Sequence, residues 1–297
     1  MKKVYFILLS LVMLCASCDK CDYVEEGVAS EDIKLVSFKC SGNFSGAMEL
    51  VTRASSLSVN ELGLTDLWVF DYLDDVYVQN KHQVYGVDDG FGYVTLPLKR
   101  GRHKLYFVAS KGNNPVVSES SSTISFSNVR DTFWKCYELN VTSSSSNSES
   151  ITLERVVTKL NVEFNETIPD NASFIKITPS QWYRGINYKT GFGVATTQPL
   201  QCMVSIPDMY KGNKEYNLQV EIYGFVPSNN YSTNIEIAGI TGTGSDSAID
   251  GYVAIPNAPF TKNRMTKYIG TVYTNVGNTY IETALSIDNT WSTPYEL

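Results

Sequence analysis

The sequence alternates apolar and polar residues at every second position in many short runs. In residues 159–164 and 218–223, the apolar residues occupy one set of alternate positions and mostly polar residues occupy the other. The same period recurs, with more mixed neighbours, in residues 104–109 and 281–287. Side chains of a strand point alternately to opposite faces, so this period predicts strands with one buried and one wet face. Antiparallel β-sandwiches have this pattern, and we expect an all-β chain.

The composition supports a folded chain of strands. Hydrophobic residues make up 43% and charged residues 19% of the 297 residues, which provides enough apolar side chains for a core. The 19 tyrosines fit half-buried strands better than helices. A Ser-rich stretch, residues 142–150, is either a hairpin loop or a linker. It predicts an N-terminal β-sandwich domain at 32–148 and a C-terminal one at 149–297.

The first residues have the features of an export signal. Lys2 and Lys3 precede an apolar stretch, residues 4–14, that is too short to span a bilayer as a stable helix. The sequence Cys15-Ala16-Ser17-Cys18 follows and resembles a bacterial lipobox, with Cys15 where Leu is usual. We therefore expect a signal peptide at 1–17, a lipid on Cys18 and a polar, acidic tether at 18–31. The alternative is an ordinary signal peptide cut near Ser17.

Charge and cysteine spacing argue against several classes of function. The net charge of −7 becomes −9 without residues 1–17, because two lysines and no acidic residues are lost. Binding of nucleic acid requires clustered Lys and Arg, so no nucleic-acid partner is expected. Cys21, Cys40, Cys136 and Cys202 are scattered and form no CxxC pair, so no metal site is expected. Disulfides and buried free thiols both remain open for these four residues.

No catalytic constellation is visible, so we expect neither an enzyme nor a cofactor. The two histidines, His82 and His103, belong to no known hydrolase or metalloprotease motif and are interpreted as structural or surface residues. The acidic pairs Asp74-Asp75 and Asp88-Asp89 lack the spacing of a calcium loop. Because Asp stabilises turns, both pairs are expected in turns.

Residues 32–53 are the segment that points to a function. They contain two strand-like apolar runs and end at Arg53, which is followed by the small residues Ala54, Ser55 and Ser56. A basic residue in a flexible polar stretch is a good site for a protease. Cleavage between Arg53 and Ala54 would remove a first strand from a sandwich. The groove left behind can be repaired by an extended segment of another chain.

The order of several short motifs resembles the fimbrillin superfamily, the type V pilins and pilus anchor or tip subunits of Bacteroidetes. These motifs are the lipobox, Val51-Thr52-Arg53-Ala54, Leu67-Trp68-Val69-Phe70-Asp71, residues 98–110 and residues 153–160. The resemblance covers nearly the whole chain. It implies two transthyretin-like β-sandwich domains, export to the outer membrane with lipid on Cys18, and cleavage after Arg53. It also implies strand exchange with other pilin subunits and a role in cell adhesion.

Two further expectations concern the surface. Asp246-Ser247-Ala248 is similar to the Asp-Ser/Thr-apolar site of O-glycosylation used in this bacterial group, which makes Ser247 a candidate. The alternative function is a glycan-binding lipoprotein of a polysaccharide-uptake system. That function needs an exposed aromatic platform, and the candidates are Trp182-Tyr183 with Tyr188, or Trp291 with Tyr295. Whether the chain is a stalk, tip or anchor subunit is left open.

Overall fold

The computed structural model describes residues 33–43, 57–197, 200–212, 217–274 and 284–288. The strands of the first part are β1 (Ile33–Asn43), β2 (Leu57–Ser58), β3 (Asp66–Leu73), β4 (Val76–Val84), β5 (Tyr93–Lys99), β6 (Gly101–Ser110), β7 (Val116–Ser118), β8 (Thr123–Ser125), β9 (Thr132–Val141) and β10 (Ser148–Arg155). Those of the second part are β11 (Thr158–Phe164), β12 (Ala172–Pro179), β13 (Gly185–Asn187), β14 (Phe192–Val194), β15 (Cys202–Ser205), β16 (Leu218–Gly224), β17 (Tyr231–Thr241), β18 (Ala248–Phe260), β19 (Met265–Gly270) and β20 (Ala284–Asp288). The only helices in the described residues are two single 3₁₀ turns, Asp208–Tyr210 and Gly244–Asp246, so the prediction of an all-β, mainly antiparallel sandwich protein is confirmed.

The first sheet has eight strands and folds over a core of its own. Its order is β2-β1-β10-β9-β6-β3-β4, and β5 pairs with β1. Side chains from β1, β5 and β10 share one apolar cluster with side chains from β3, β6 and β9. One wall of this sandwich is therefore formed by β5, β1 and β10, and the opposite wall by β9, β6, β3 and β4.

The second part of the chain forms another sandwich. One sheet has the order β16-β11-β19-β20 and the other has the order β15-β12-β17-β18. Residues at alternate positions of β11 and β16 face the core, as the two-residue period predicts. A parallel pairing of β11 with β19 is the exception in this mainly antiparallel part.

A small sheet joins the two parts of the chain. Its order is β14-β13-β8-β7, so two of its strands precede the second sandwich in sequence and two lie within it. The second apolar cluster likewise extends from Trp68 and Phe70 on β3 to Tyr188 and Phe225. The ring of Phe70 stacks on that of Tyr188 at 3.8 Å between centroids.

The Ser-rich stretch connects two strands of the first sheet, β9 and β10. β10 pairs with β1 and β9, although the predicted C-terminal domain begins at residue 149. The chain thus leaves the first sheet between Arg155 and Thr158, a few residues beyond the predicted boundary. The division into domains at 32–148 and 149–297 stays a prediction, with β10 belonging to the sheet of the preceding residues.

Candidate functional site

β1 is an interior strand of the first sheet although it stands near the start of the chain. It runs antiparallel to β5 from Ile33 to Lys39 and parallel to β10 from Ser37 to Asn43. Near the end of β1, β2 pairs with the same edge of β1 that is paired with β5 earlier in the strand. From Ser37 onwards both edges of β1 are therefore paired, and the strand separates β5 from β10.

One face of β1 fills the core of the first sandwich. Val36, Phe38 and Cys40 are at most 2% exposed, and Phe38 meets the ring of Phe107 edge-on at 5.5 Å between centroids. Burial of a Val or Phe side chain contributes about 1.5–3 kcal/mol. Burial also raises the pKa of the Cys40 thiol to about 12, so this thiol is neutral at ordinary pH. At Gly42 a Cβ would collide with the end of the Leu62 side chain, so a larger residue there requires that side chain to move.

The other face of β1 is open to solvent. Ile33 and Leu35 are 48% and 63% exposed. Ser37 shares a hydroxyl hydrogen bond of 2.8 Å with Thr95 on β5. The strand is thus held by its two ladders and by the side chains of one face.

β5 depends on β1 for its only strand pairing in the described part of the chain. Its other edge is held by side chains. Gln79 Nε2 donates to the carbonyl of Pro97 (2.8 Å), and Gln83 Nε2 donates to that of Tyr93 (3.0 Å). Proline has no N–H to lose at such an edge, which explains why Pro97 is tolerated there. Without β1, an apolar slot would remain between a pinned β5 and β10.

Each of the two histidines, which the sequence predicts to be structural or surface residues, contacts one aspartate. His103 is buried; its Nδ1 lies 2.6 Å from Asp71 Oδ1 and its Nε2 lies 2.8 Å from the carbonyl oxygen of Lys99. His82 is more exposed, stacks on Trp68 at 4.7 Å and lies 2.8 Å from Asp66. Sequence reasoning missed Asp71 as a partner. The signal for it was a lone acidic residue inside an apolar strand.

The acidic pairs lie in turns. Asp74 and Asp75 join β3 to β4 with positive φ angles of 48° and 66°. Lys104 lies 2.7 Å from Asp75, and the pKa of the Asp75 carboxyl is lowered by this hydrogen bond and by the lysine charge. Asp88 accepts a hydrogen bond from the N–H of Val84 (2.7 Å) in the loop after β4. Within the residues that the structure describes, no three His, Cys, Asp or Glu side chains converge as metal ligands.

Several predicted site residues are placed and others are not. Ser247 is exposed directly after the 3₁₀ turn Gly244–Asp246, and its hydroxyl donates to the carbonyl of Gly244 (2.9 Å). Cys18, Arg53 and Ala54 lie outside the described residues, as do the signal peptide (1–17) and the tether (18–31). Arg53 and Ala54 fall between the end of β1 and the start of β2.

The structure also bears on the state of the cysteines and on the aromatic platforms considered for glycan binding. Cys40, Cys136 and Cys202 are free thiols, while Cys21 lies outside the described residues. The first aromatic platform proposed for glycan binding is wrong, because Trp182 and Tyr188 are only 2% and 0% exposed and pack in the core. Trp291 and Tyr295, the second candidate platform, lie outside the described residues.

Comparisons with known proteins show the fold. No family model and no curated protein matches the sequence. A crystal structure of a candidate adhesin from Bacteroides thetaiotaomicron is similar, with a TM-score of 0.51 at 11% identity over 89% of this chain and 98% of that chain. The fimbrial anchor protein Mfa2 from Porphyromonas gingivalis gives a TM-score of 0.48 at 8% identity over 86% and 98% of the two chains. A candidate cell adhesion protein from Bacteroides eggerthii gives 0.48 at 11% identity over 86% and 95%.

The match to the candidate adhesin shows that the chain shares its fold. In the described residues, no helix is long and apolar enough to cross a membrane.

Proposed function

We propose that this chain is a subunit of a cell-surface pilus that contributes to adhesion and joins other subunits by strand exchange at the position of β1. The observation that carries the proposal is the placement of β1 between β5 and β10, with one face in the core. The adhesion role is also in keeping with the description of the similar Bacteroides thetaiotaomicron structure as a candidate adhesin.

The slot sets requirements for any strand that replaces β1. The incoming strand needs apolar side chains at the positions of Val36, Phe38 and Cys40, and a small residue fits best at that of Gly42, where a Cβ meets the side chain of Leu62. Main-chain hydrogen bonds to both neighbours supply affinity, and the alternate side-chain pockets supply specificity. An unfilled slot exposes both an apolar groove and unpaired strand edges, so an exchange that fills it is strongly favoured.

Export and processing complete the proposal. Lipid on Cys18 would attach the chain to the outer membrane, and cleavage between Arg53 and Ala54 would release β1. A stalk or tip subunit requires this cleavage, whereas an anchor subunit keeps both its lipid and β1. The role is structural, with other pilin subunits as partners, and involves no catalysis and no nucleic acid.

N-terminal mass spectrometry of the protein from the native cell surface tests this proposal. A start at Ala54, together with ladders that resist SDS, is the expected result for a stalk or tip subunit. Arg53→Ala should abolish both, while Arg100→Ala, which changes an exposed arginine in the turn between β5 and β6, should leave both intact.

A lipidated start at Cys18 with only monomer contradicts the stalk role and leaves an anchor subunit. If that monomer also binds on a glycan array, the pilus proposal is replaced by the glycan-binding alternative.

A further inference from the structure

His103 lies where three strands of the first sandwich meet. It belongs to β6, its side chain is 1% exposed, and the side chain of its partner Asp71 on β3 is 0% exposed. The other ring nitrogen, Nε2, lies 2.8 Å from the carbonyl oxygen of Lys99, the last residue of β5. The imidazole therefore ties the end of β5 to the opposite wall of the sandwich.

The two hydrogen bonds of His103 require an additional proton. A carbonyl oxygen only accepts, and a carboxylate only accepts, so both ring nitrogens must donate. A proton that moves from Nδ1 to Asp71 leaves the count for the pair unchanged. The folded pair thus holds one proton more than a neutral imidazole beside a carboxylate.

The pKa of His103 agrees with this count. Burial by itself lowers the pKa, but the hydrogen bonds to Asp71 and to the carbonyl of Lys99, and the charges of Asp71 and Asp74, raise it above its ordinary value. A cleft of about 290 Å³ includes His103 in its lining, although the imidazole is almost fully buried. Charged side chains that also line this cleft are Asp74, Asp75, Arg102, Lys104 and Glu138. The nearest charge on β5 belongs to Lys99 itself.

The residue that His103 holds, Lys99, pairs with the first residue of β1. Lys99 is the ladder partner of Ile33, the first residue of β1. β5 has no other strand partner in the described residues, so its end is fixed by β1 on one side; on the other it is fixed by Gln79, by the short turn into β6 and, at Lys99 itself, by His103. Loss of the bond from His103 removes the side-chain donor of Lys99, so the start of β1 is paired with a residue that is held less firmly.

We propose that the protonated His103–Asp71 pair is a latch that holds β5, and with it β1, in place at low pH and releases them as the pH rises. This inference rests on the proposed strand exchange, because release of β1 is the step that the latch would regulate. An incoming strand would meet the same control, since it would pair with the same β5.

The direction of the pH dependence follows from proton linkage. An unfolded histidine releases its proton near pH 6.5, whereas folded His103 keeps it to higher pH. The stabilisation is therefore complete below the unfolded pKa and is lost as the pH rises through the folded pKa. Between the two pKa values, one linked proton changes the opening equilibrium by at most about tenfold per pH unit, and above the folded pKa the equilibrium no longer depends on this proton.

Cys40 provides the measurement, because it lies on β1 and its thiol is buried. The chain that is uncleaved at Arg53, and so retains β1, is treated with iodoacetamide between pH 6 and pH 9, and alkylation of the tryptic peptide 40–53 is followed by mass spectrometry. The rate in the native protein is divided by the rate in denaturant at each pH, which removes the intrinsic pH dependence of the thiol. We expect the protection of Cys40 to fall as the pH rises from about 6.5 to the folded pKa of His103 and to level off above it.

Two variants make the result specific. His103→Gln should give low protection that is independent of pH, because glutamine does not titrate. His82→Gln is the matched control, since it removes the other His–Asp pair and should keep the wild-type pH profile. A wild-type profile that is flat, or that persists in His103→Gln, overturns the latch. So does an equal loss of protection in amides of β3 and β6, since that would be global unfolding.

A measurement on the wild type covers the case in which His103→Gln does not fold. The chain has two histidines, so ¹⁵N-histidine labelling gives two ring systems in an NMR titration. His103 should show two protonated ring nitrogens well above pH 6.5; a single protonated nitrogen at pH 6.5 with an unprotonated Asp71 overturns the latch. Both experiments use the isolated monomer. The latch can therefore fail while SDS-resistant ladders still form, and the ladders can be absent while His103 still titrates as proposed.

Discussion

β1 and β3 are both interior strands of the first sheet, but they are anchored by different amounts of packing. β1 buries alternate side chains on one face and exposes Leu35 on the other. In β3, seven of the eight residues are buried, because one face packs in the first sandwich and the other packs against the second part of the chain. β1 therefore supports one core, whereas β3 supports two.

Phe70→Ala on β3 should have the largest effect on stability. The ring is fully buried and stacks on Tyr188 from the second part of the chain. Truncation of a buried Phe costs about 3–5 kcal/mol, through lost transfer free energy and the cavity left behind. Urea unfolding should show this loss, and hydrogen exchange should show lower protection in both sandwiches. A loss below about 1 kcal/mol would mean that β3 does not couple the two cores.

Phe38→Ala on β1 sharpens the comparison, because the same side chain is removed from an equally buried position. We expect a cost near the lower end of that range, about 3 kcal/mol, since β1 can detach without opening the second sandwich. Alkylation of Cys40 should become faster while amides of β11 and β16 keep their protection. Equal deprotection of the second sandwich would contradict the view that β1 is separately removable.

The sequence predicts the inward face of β1 but not its neighbours. Val36, Phe38 and Cys40 follow the two-residue period, so a half-buried strand could be inferred there. The parallel pairing with β10 joins residues about a hundred positions apart, and no local pattern encodes it. β3 shows no polar alternation because both of its faces are buried, and each of its two aspartates, Asp66 and Asp71, has a histidine partner on a neighbouring strand. Local periodicity thus predicts which face of a strand is exposed to solvent, but it does not predict which strands pair.

Gln83→Ala tests the pins that hold β5 and should have a smaller effect. Gln83 is 5% exposed; it donates to the carbonyl of Tyr93 and accepts from the N–H of Gly92 (3.1 Å). Loss of these bonds leaves buried backbone groups unpaired, at a cost of about 1–3 kcal/mol. Hydrogen exchange should show the loss first in β5 and β1. An effect confined to β4 would mean that β5 is held by β1 and the core alone.

Leu35→Ala should have the smallest effect and tests the open face of β1. The side chain is 63% exposed, so its truncation should change the free energy of unfolding of the monomer by no more than about 0.5 kcal/mol. Urea unfolding of Leu35→Ala is compared with that of Phe38→Ala, which lies three residues further along the same strand. The difference in the free energy of unfolding measures the contrast between the two faces of β1. If Leu35→Ala costs as much as Phe38→Ala, β1 is packed on both faces as β3 is. It would then be unsuited to exchange.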